Sequence, residues 1–219
     1  MAEMADAADL KSAGAILVGS SPSPGIKKDI NMAWLIIIIG YVFGSLPTAY
    51  LAGRFLKGRD IRKIGDENAG AANAYRELGP TTGILVGVID AAKGAAVVLI
   101  AQAANMSQAV VLFAGAAAVV GHNWPVFLAF RGGRGVSTTI GILLVLVTIP
   151  MLILALPTIL ILVLRRNVTP SMAFLFIVLP LVDWWLKVPG VLVAYGIALP
   201  ALTGITTFLR TRPRAVHQS

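Results

Sequence analysis

Runs of about 20 apolar residues recur along this chain, separated by short basic segments, and they restrict its fold more than any other feature. A helix of that length crosses a hydrocarbon core of roughly 30 Å with its backbone groups paired, which an isolated strand or loop cannot do. The runs cover residues 32–56, 81–104, 108–130, 168–186 and 188–209. Only 13% of the residues are charged, against about a quarter in an average soluble domain. The expected fold is therefore all-α and membrane-integral, in a single domain over 32–210. Residues 1–31 read as a flexible N-terminal extension, being polar and turn-rich around Ser20-Ser21-Pro22-Ser23-Pro24-Gly25. Glu3, Asp6 and Asp9 stand where a signal peptide would be basic.

Residues 136–164 are harder to divide. As one straight helix their 29 residues would extend about 44 Å, and they contain Pro150 and Pro157. Charge favours two short helices. The segment 54–76 carries Arg54, Lys57, Arg59, Arg62, Lys63 and Arg76 and belongs in the cytoplasm, while Asn105-Met106-Ser107 is uncharged and belongs outside. With a turn near Pro150, Arg131, Arg134, Arg165, Arg166, Arg210, Arg212 and Arg214 fall inside and Lys187 outside. About seven helices are expected, some short or broken. The N-terminus then lies outside, and residues 211–219 form a cytoplasmic tail.

Lys and Arg number 18 against 10 Asp and Glu, a surplus that suits anionic ligands as well as cytoplasmic loops. Zero cysteines and two histidines exclude a disulfide framework, a zinc finger and Cys-based catalysis, so no metal or cofactor is expected. In the loop 53–79, cations in Asp60-Ile61-Arg62-Lys63 precede Asn68-Ala69-Gly70-Ala71-Ala72-Asn73, whose small residues let backbone N–H groups approach an anion. Arg131-Gly132-Gly133-Arg134-Gly135-Val136-Ser137 combines guanidinium groups, glycine clearance and a helix start, which suits a phosphate. It lacks the Walker A spacing. Asp90 and Lys93 share one face of an apolar span and should pair, because each charge costs roughly 2.5 to 3.5 kcal/mol there alone. His122 reads as a packing residue or a base, and Ser45 in Gly44-Ser45-Leu46-Pro47 as a hydroxyl beside a kink.

In this order, these segments resemble the bacterial acyl-phosphate:glycerol-3-phosphate acyltransferases, the PlsY family, over residues 44–171. Asp90-Ala91-Ala92-Lys93-Gly94 and Gly121-His122-Asn123-Trp124-Pro125-Val126-Phe127 complete the set. The resemblance implies a seven-helical enzyme with Ser45, Arg62, Asn68, Asn73, Lys93 and His122 as catalytic candidates. Lys63, Gly70, Asp90, Arg131, Gly132, Gly133, Arg134, Gly135, Ser137 and Arg212 are then substrate-binding candidates. Departures are visible: Asp66-Glu67 replace usual small residues, Ala72 a usual Thr, and Arg131 and Arg134 usual Lys. Of the family's third motif only Arg210 and Arg212 find counterparts, with Thr211 in the place of a His.

The implied reaction moves a fatty acyl group from acyl phosphate to glycerol 3-phosphate, giving lysophosphatidic acid and phosphate in phospholipid biosynthesis. Partners are those two substrates and membrane lipids, with no nucleic acid. The proton acceptor stays open between His122 and the donor phosphate. A transporter or channel for a phosphorylated or anionic solute would use the same cations and broken helices, and a non-catalytic scaffold is a third reading.

Overall fold

The computed structural model describes residues 24–211, and their side chains from 30 to 210. Nine α-helices follow one another among them: α1 Pro24–Gly44, α2 Thr48–Lys57, α3 Ala71–Leu78, α4 Pro80–Ala103, α5 Gln108–Asn123, α6 Val136–Leu146, α7 Thr148–Arg165, α8 Val168–Trp185 and α9 Gly190–Thr211. Two 3₁₀ turns, Ile61–Lys63 and Val126–Leu128, lie between them. Of the N-terminal extension, residues 1–23 lie outside the described residues and 24–31 already belong to α1. Among the described residues six stretches are long and apolar enough to cross a membrane, with residues 30–57 of α1 and α2 forming the first. Helix α6 has 11 residues, about 16 Å, and stops partway.

Three of the expected runs break, each for a local reason. The run 32–56 is interrupted at Ser45-Leu46-Pro47, where proline lacks an N–H and its ring drives Leu46 out of the helical region. The run 108–130 stops at Asn123 ahead of Pro125, and Ala129 and Phe130 take left-handed φ values of 49° and 62° in the turn that follows. In 136–164 the break falls at Val147, ahead of Pro150. That proline sits in the first turn of α7, where no intrahelical N–H is missed, and Pro157 stays inside the helix. Two helices thus replace one, but only α6 is short.

Small residues draw the helices together. A Cβ on Gly40 or Gly44 would strike the carbonyl of Ala114 or Ala118, so residues 36–44 of α1 lie directly on α5. Gly94 and Gly141 do the same between α4 and α6, against Thr138 and Ala91. In a bilayer, where apolar contact with lipid competes with apolar contact between helices, such close approach is the main source of helix association. Leu143, Val147, Met151, Leu154, Leu175 and Leu179 form a separate core among α6, α7 and α8. Phe113, Leu156 and Ile177 face outward at 63 to 76% exposure, as lipid-facing side chains do. Trp184 and Trp185 are exposed at the end of α8, a position suited to a bilayer interface.

Candidate active site

The breaks in the helices are what build the site. The α1–α2 break, the turn around Ala69, Asp90 of α4, the end of α5 and the loop Gly132-Gly133 converge on one small, partly open cleft. Ser45, Thr48, Asp90, His122, Gly132 and Gly133 all line it.

Asp90 is the hub on the helical side. Its Oδ1 accepts from Lys93 Nζ at 2.9 Å and from Thr48 Oγ1 at 2.9 Å, and His122 Nδ1 lies 3.7 Å away. The expected Asp90–Lys93 pair is present and almost wholly buried. Lys93 also donates to the Leu46 carbonyl at 3.0 Å, so the ammonium closes the helix break. Ser45 is completely buried, and its hydroxyl donates to the Tyr41 carbonyl one turn back at 2.8 Å. The imidazole of His122 turns Nδ1 to Asp90, and its Nε2 lies against Gly133, where a Cβ would collide with it.

The loop 58–70 presents the cations. Asp60 caps the 3₁₀ turn and grips Arg62: Oδ1 accepts from the Arg62 backbone N–H and Nε, each at 3.0 Å, and Oδ2 from Nη2 at 2.8 Å. Hydrogen bonding to Arg62 holds the Asp60 carboxyl below its ordinary pKa, and the same bond raises that of Arg62. Arg62 Nη1 donates to the Leu128 carbonyl at 3.3 Å, and the guanidinium lies 4.9 Å over the Tyr50 ring. Three of its N–H groups are therefore occupied, and a guanidinium has five. Lys63 is exposed.

Asn73 is fully buried and staples this loop. Its amide N–H₂ donates to the carbonyls of Ile61, Ile64 and Asn68, and its Oδ1 accepts from the Asp66 backbone. Asn68 Oδ1 is buried with no partner among the described residues. Gly70 needs its hydrogen, since a Cβ there would lie 2.8 Å from Asn68 Nδ2.

The glycine segment differs in detail from a free cradle. The N–H groups of Gly132 and Gly133 already donate to the carbonyls of Asn123 and His122 at 3.2 and 3.0 Å. Donors for an anion thus begin at Arg134 and run into α6, where Gly135 takes the left-handed φ of 80° that turns the chain into the helix. Arg134 Nη2 donates to Asp66 Oδ2 at 3.2 Å, Arg131 is exposed, and Ser137 Oγ faces Gly87 of α4. Arg212 lies outside the described residues. Its neighbour Arg210 is the arginine that reaches the loop: Nη1 donates to the carbonyls of Gly132 and Gly133, and Nη2 to that of Asn123.

The sequence profile described as Glycerol-3-phosphate acyltransferase matches residues 34–215. This chain belongs to the glycerol-3-phosphate acyltransferase family. It is 46% identical to a glycerol-3-phosphate acyltransferase 4 of Dehalococcoides mccartyi, over 83% of this chain and 98% of that one. A glycerol-3-phosphate acyltransferase 1 of the same organism is 40% identical over 68% of this chain and 74% of its own length. The fold superposes on the crystal structure of PlsY (YgiH), an integral membrane glycerol 3-phosphate acyltransferase, in its glycerol 3-phosphate form. The TM-score is 0.72 at 30% identity, covering 84% of this chain and 94% of that one. Its lysophosphatidic acid form gives 0.70 at 31%, covering 83% and 88%. The family therefore decides for an enzyme over a transporter, and for an all-helical membrane protein.

Within this acyltransferase fold three side chains carry roles that the motif reading passed over. Thr48 fixes Asp90, Asp60 fixes Arg62, and Asn123 Nδ2 donates to Thr206 Oγ1 at 3.1 Å, tying α5 to α9. Only Asp60 had a visible signal, an acidic residue two before an arginine in a short turn.

Proposed function

We propose that this family member transfers a fatty acyl group from acyl phosphate to glycerol 3-phosphate at the cytoplasmic face of a bacterial plasma membrane. The observation that carries the reading is the cleft itself. A buried hydroxyl, an imidazole and a glycine loop flanked by arginines converge beside a break in a membrane helix, within a fold shared with an acyltransferase solved in a glycerol 3-phosphate form.

Acyl phosphate is a mixed anhydride, so positioning and charge stabilisation can supply most of the rate without a covalent relay. An acceptor hydroxyl attacks the acyl carbonyl carbon, the new ester C–O bond forms, the C–O bond to the phosphoryl group breaks, and the hydroxyl proton ends on departing phosphate. Arg134 and Arg131, with the N–H groups that start α6, hold the acceptor phosphate. The two remaining N–H groups of Arg62 hold the donor phosphate. Ser45 Oγ turns from the Tyr41 carbonyl to a substrate oxygen, and Asn68 Oδ1 accepts from the acceptor's hydroxyl. Lys93, Asp90 and Asn73 are positioning residues that hold the break and the loop.

The test is phosphate release by purified protein given acyl phosphate with and without glycerol 3-phosphate. Acceptor-dependent release with lysophosphatidic acid as product is expected. Release independent of acceptor would make it a hydrolase and overturn the reading.

A further inference from the structure

One carboxylate oxygen in the acceptor half of the site carries two arginines. Asp66 Oδ2 lies 2.8 Å from Arg76 Nη2 and 3.2 Å from Arg134 Nη2. The residue is also tied into the loop: its backbone N–H donates to the buried Oδ1 of Asn73 at 3.2 Å, and its Oδ1 accepts from the Asn68 N–H at 3.4 Å. Arg134 in turn is held only on its Nη2 side, and its buried Nε has no acceptor among the described residues. The guanidinium therefore keeps donor capacity for a second anion while a fixed negative charge sits against it.

We propose that Asp66 sets acceptor affinity: its carboxylate is a built-in anion that competes with the acceptor's phosphate for Arg134. The inference rests on the reading of Arg134 as a phosphate ligand. A dianionic phosphate on Arg134 either displaces the carboxylate or binds beside it, and like charges at that separation repel. Both routes weaken binding of glycerol 3-phosphate and of free inorganic phosphate alike. The effect is moderate, because Asp66 is about one-third exposed and solvent screens the pair. A carboxylate that merely oriented Arg134 would have the opposite sign, since its removal would let the guanidinium drift and weaken binding.

Steady-state kinetics on the full chain in detergent, with saturating acyl phosphate and varied glycerol 3-phosphate, separates these. Asp66→Asn keeps the shape and an acceptor oxygen for Asn68 but loses the charge, and Asp66→Ala serves as the second variant. Expected for both is a KM lower by about threefold with kcat little changed, and an inhibition constant for inorganic phosphate that falls in parallel. The gain should vanish in an Arg134→Ala background. A raised KM would overturn the proposal, with Asp66 then orienting Arg134. An unchanged KM in Asp66→Asn, with Arg134→Ala still raising KM, would overturn it while leaving Arg134 on the phosphate. If Arg134→Ala itself leaves KM unchanged, the underlying assignment fails as well.

Discussion

The ammonium of Lys93 donates to the carbonyl oxygen of Leu46 at 3.0 Å, across 47 residues of sequence. Leu46 lies in the break between α1 and α2, where its carbonyl accepts from the Thr48 N–H at 3.0 Å instead of from a helical i+4 donor, so a buried cation from α4 ties down the break in another helix. Asp90, at 2.9 Å, neutralises that cation inside the bilayer-spanning bundle. The pair is thus part of the scaffold that presents Ser45 and Thr48 to the cleft.

Lys93→Met should therefore lose both activity and stability. It leaves the Leu46 carbonyl with the Thr48 N–H but without the ammonium, and Asp90 charged and buried without its cation, at a cost of about 3 kcal/mol or more. Adding Asp90→Asn should recover most of the thermal stability, measured as the melting temperature in detergent, and part of the activity. A double variant that regains its melting temperature but shows no turnover would place Lys93 on the substrate instead.

Much of this was legible in the chain, and the limits have physical causes. Asp90 and Lys93 announced a pair because two opposite charges three residues apart in an apolar helix have no cheaper arrangement. The helix breaks were harder to place, because hydropathy counts apolar residues and does not register whether the backbone is continuous through Ser45-Leu46-Pro47 or Trp124-Pro125. Asn73 appeared to belong with Asn68 as a substrate contact, yet its amide is consumed by the loop that it closes. Gly132 and Gly133 stood among the substrate-binding candidates, but their N–H groups return to α5. Such contacts depend on tertiary neighbours 5 to 12 residues away or across helices, which no local pattern encodes.

Ser45 should not form an acyl-enzyme. Its hydroxyl donates to the Tyr41 carbonyl, which is no base, and a nucleophilic serine needs a general base within hydrogen-bond reach. Acyl phosphate alone should then release no stoichiometric burst of phosphate and leave the intact protein's mass unchanged. Ser45→Ala should lose roughly 2 to 3 kcal/mol of transition-state stabilisation, about 30- to 200-fold in kcat/KM. Ser45→Thr should do no better, because the site is fully buried and packed against Gly121. A covalently acylated Ser45 would overturn the direct-transfer mechanism.

Asp60→Asn tests whether a fixed Arg62 matters. Without the carboxylate fork the guanidinium loses its bidentate grip, and kcat/KM should fall about tenfold. The pH dependence has a definite sign. A carboxyl whose folded pKa is depressed contributes fully above its unfolded value near 3.9, and that contribution fades only as pH falls through the lower folded value. Between pH 8 and 5 the wild type should show no acid limb from Asp60. An acid limb near pH 5 that disappears in Asp60→Asn would contradict this arrangement.

Orientation is checked by single cysteines, which the natural chain lacks. With the N-terminus outside, cysteines at Ser107 and Lys187 should react with an impermeant thiol reagent added to intact cells, and those at Arg59 and Arg166 should react only after permeabilisation. Labelling of Arg166→Cys from outside would rule out a turn within residues 136–164 that returns the chain to the cytoplasmic side.

Arg210 yields the strongest test of how α9 supports the site. Its guanidinium donates to three carbonyls, those of Gly132, Gly133 and Asn123, and the same loop places Gly133 against His122 Nε2. A lysine ammonium has three donors but a tetrahedral, compact head, and it cannot reproduce a planar fork spanning three fixed acceptors. Arg210→Met should leave the Gly132 and Gly133 carbonyls without their donor, at about 1 to 3 kcal/mol each, while that of Asn123 keeps the Gly132 N–H, and Arg210→Lys should restore only part of the set. Because the contact orders the loop without touching the reacting atoms, kcat should fall together with a rise in the glycerol 3-phosphate KM. Wild-type kinetics in a folded Arg210→Met variant would show that the loop holds its shape without α9, and the glycine segment would then owe its conformation to the bonds its own N–H groups donate to the carbonyls of Asn123 and His122.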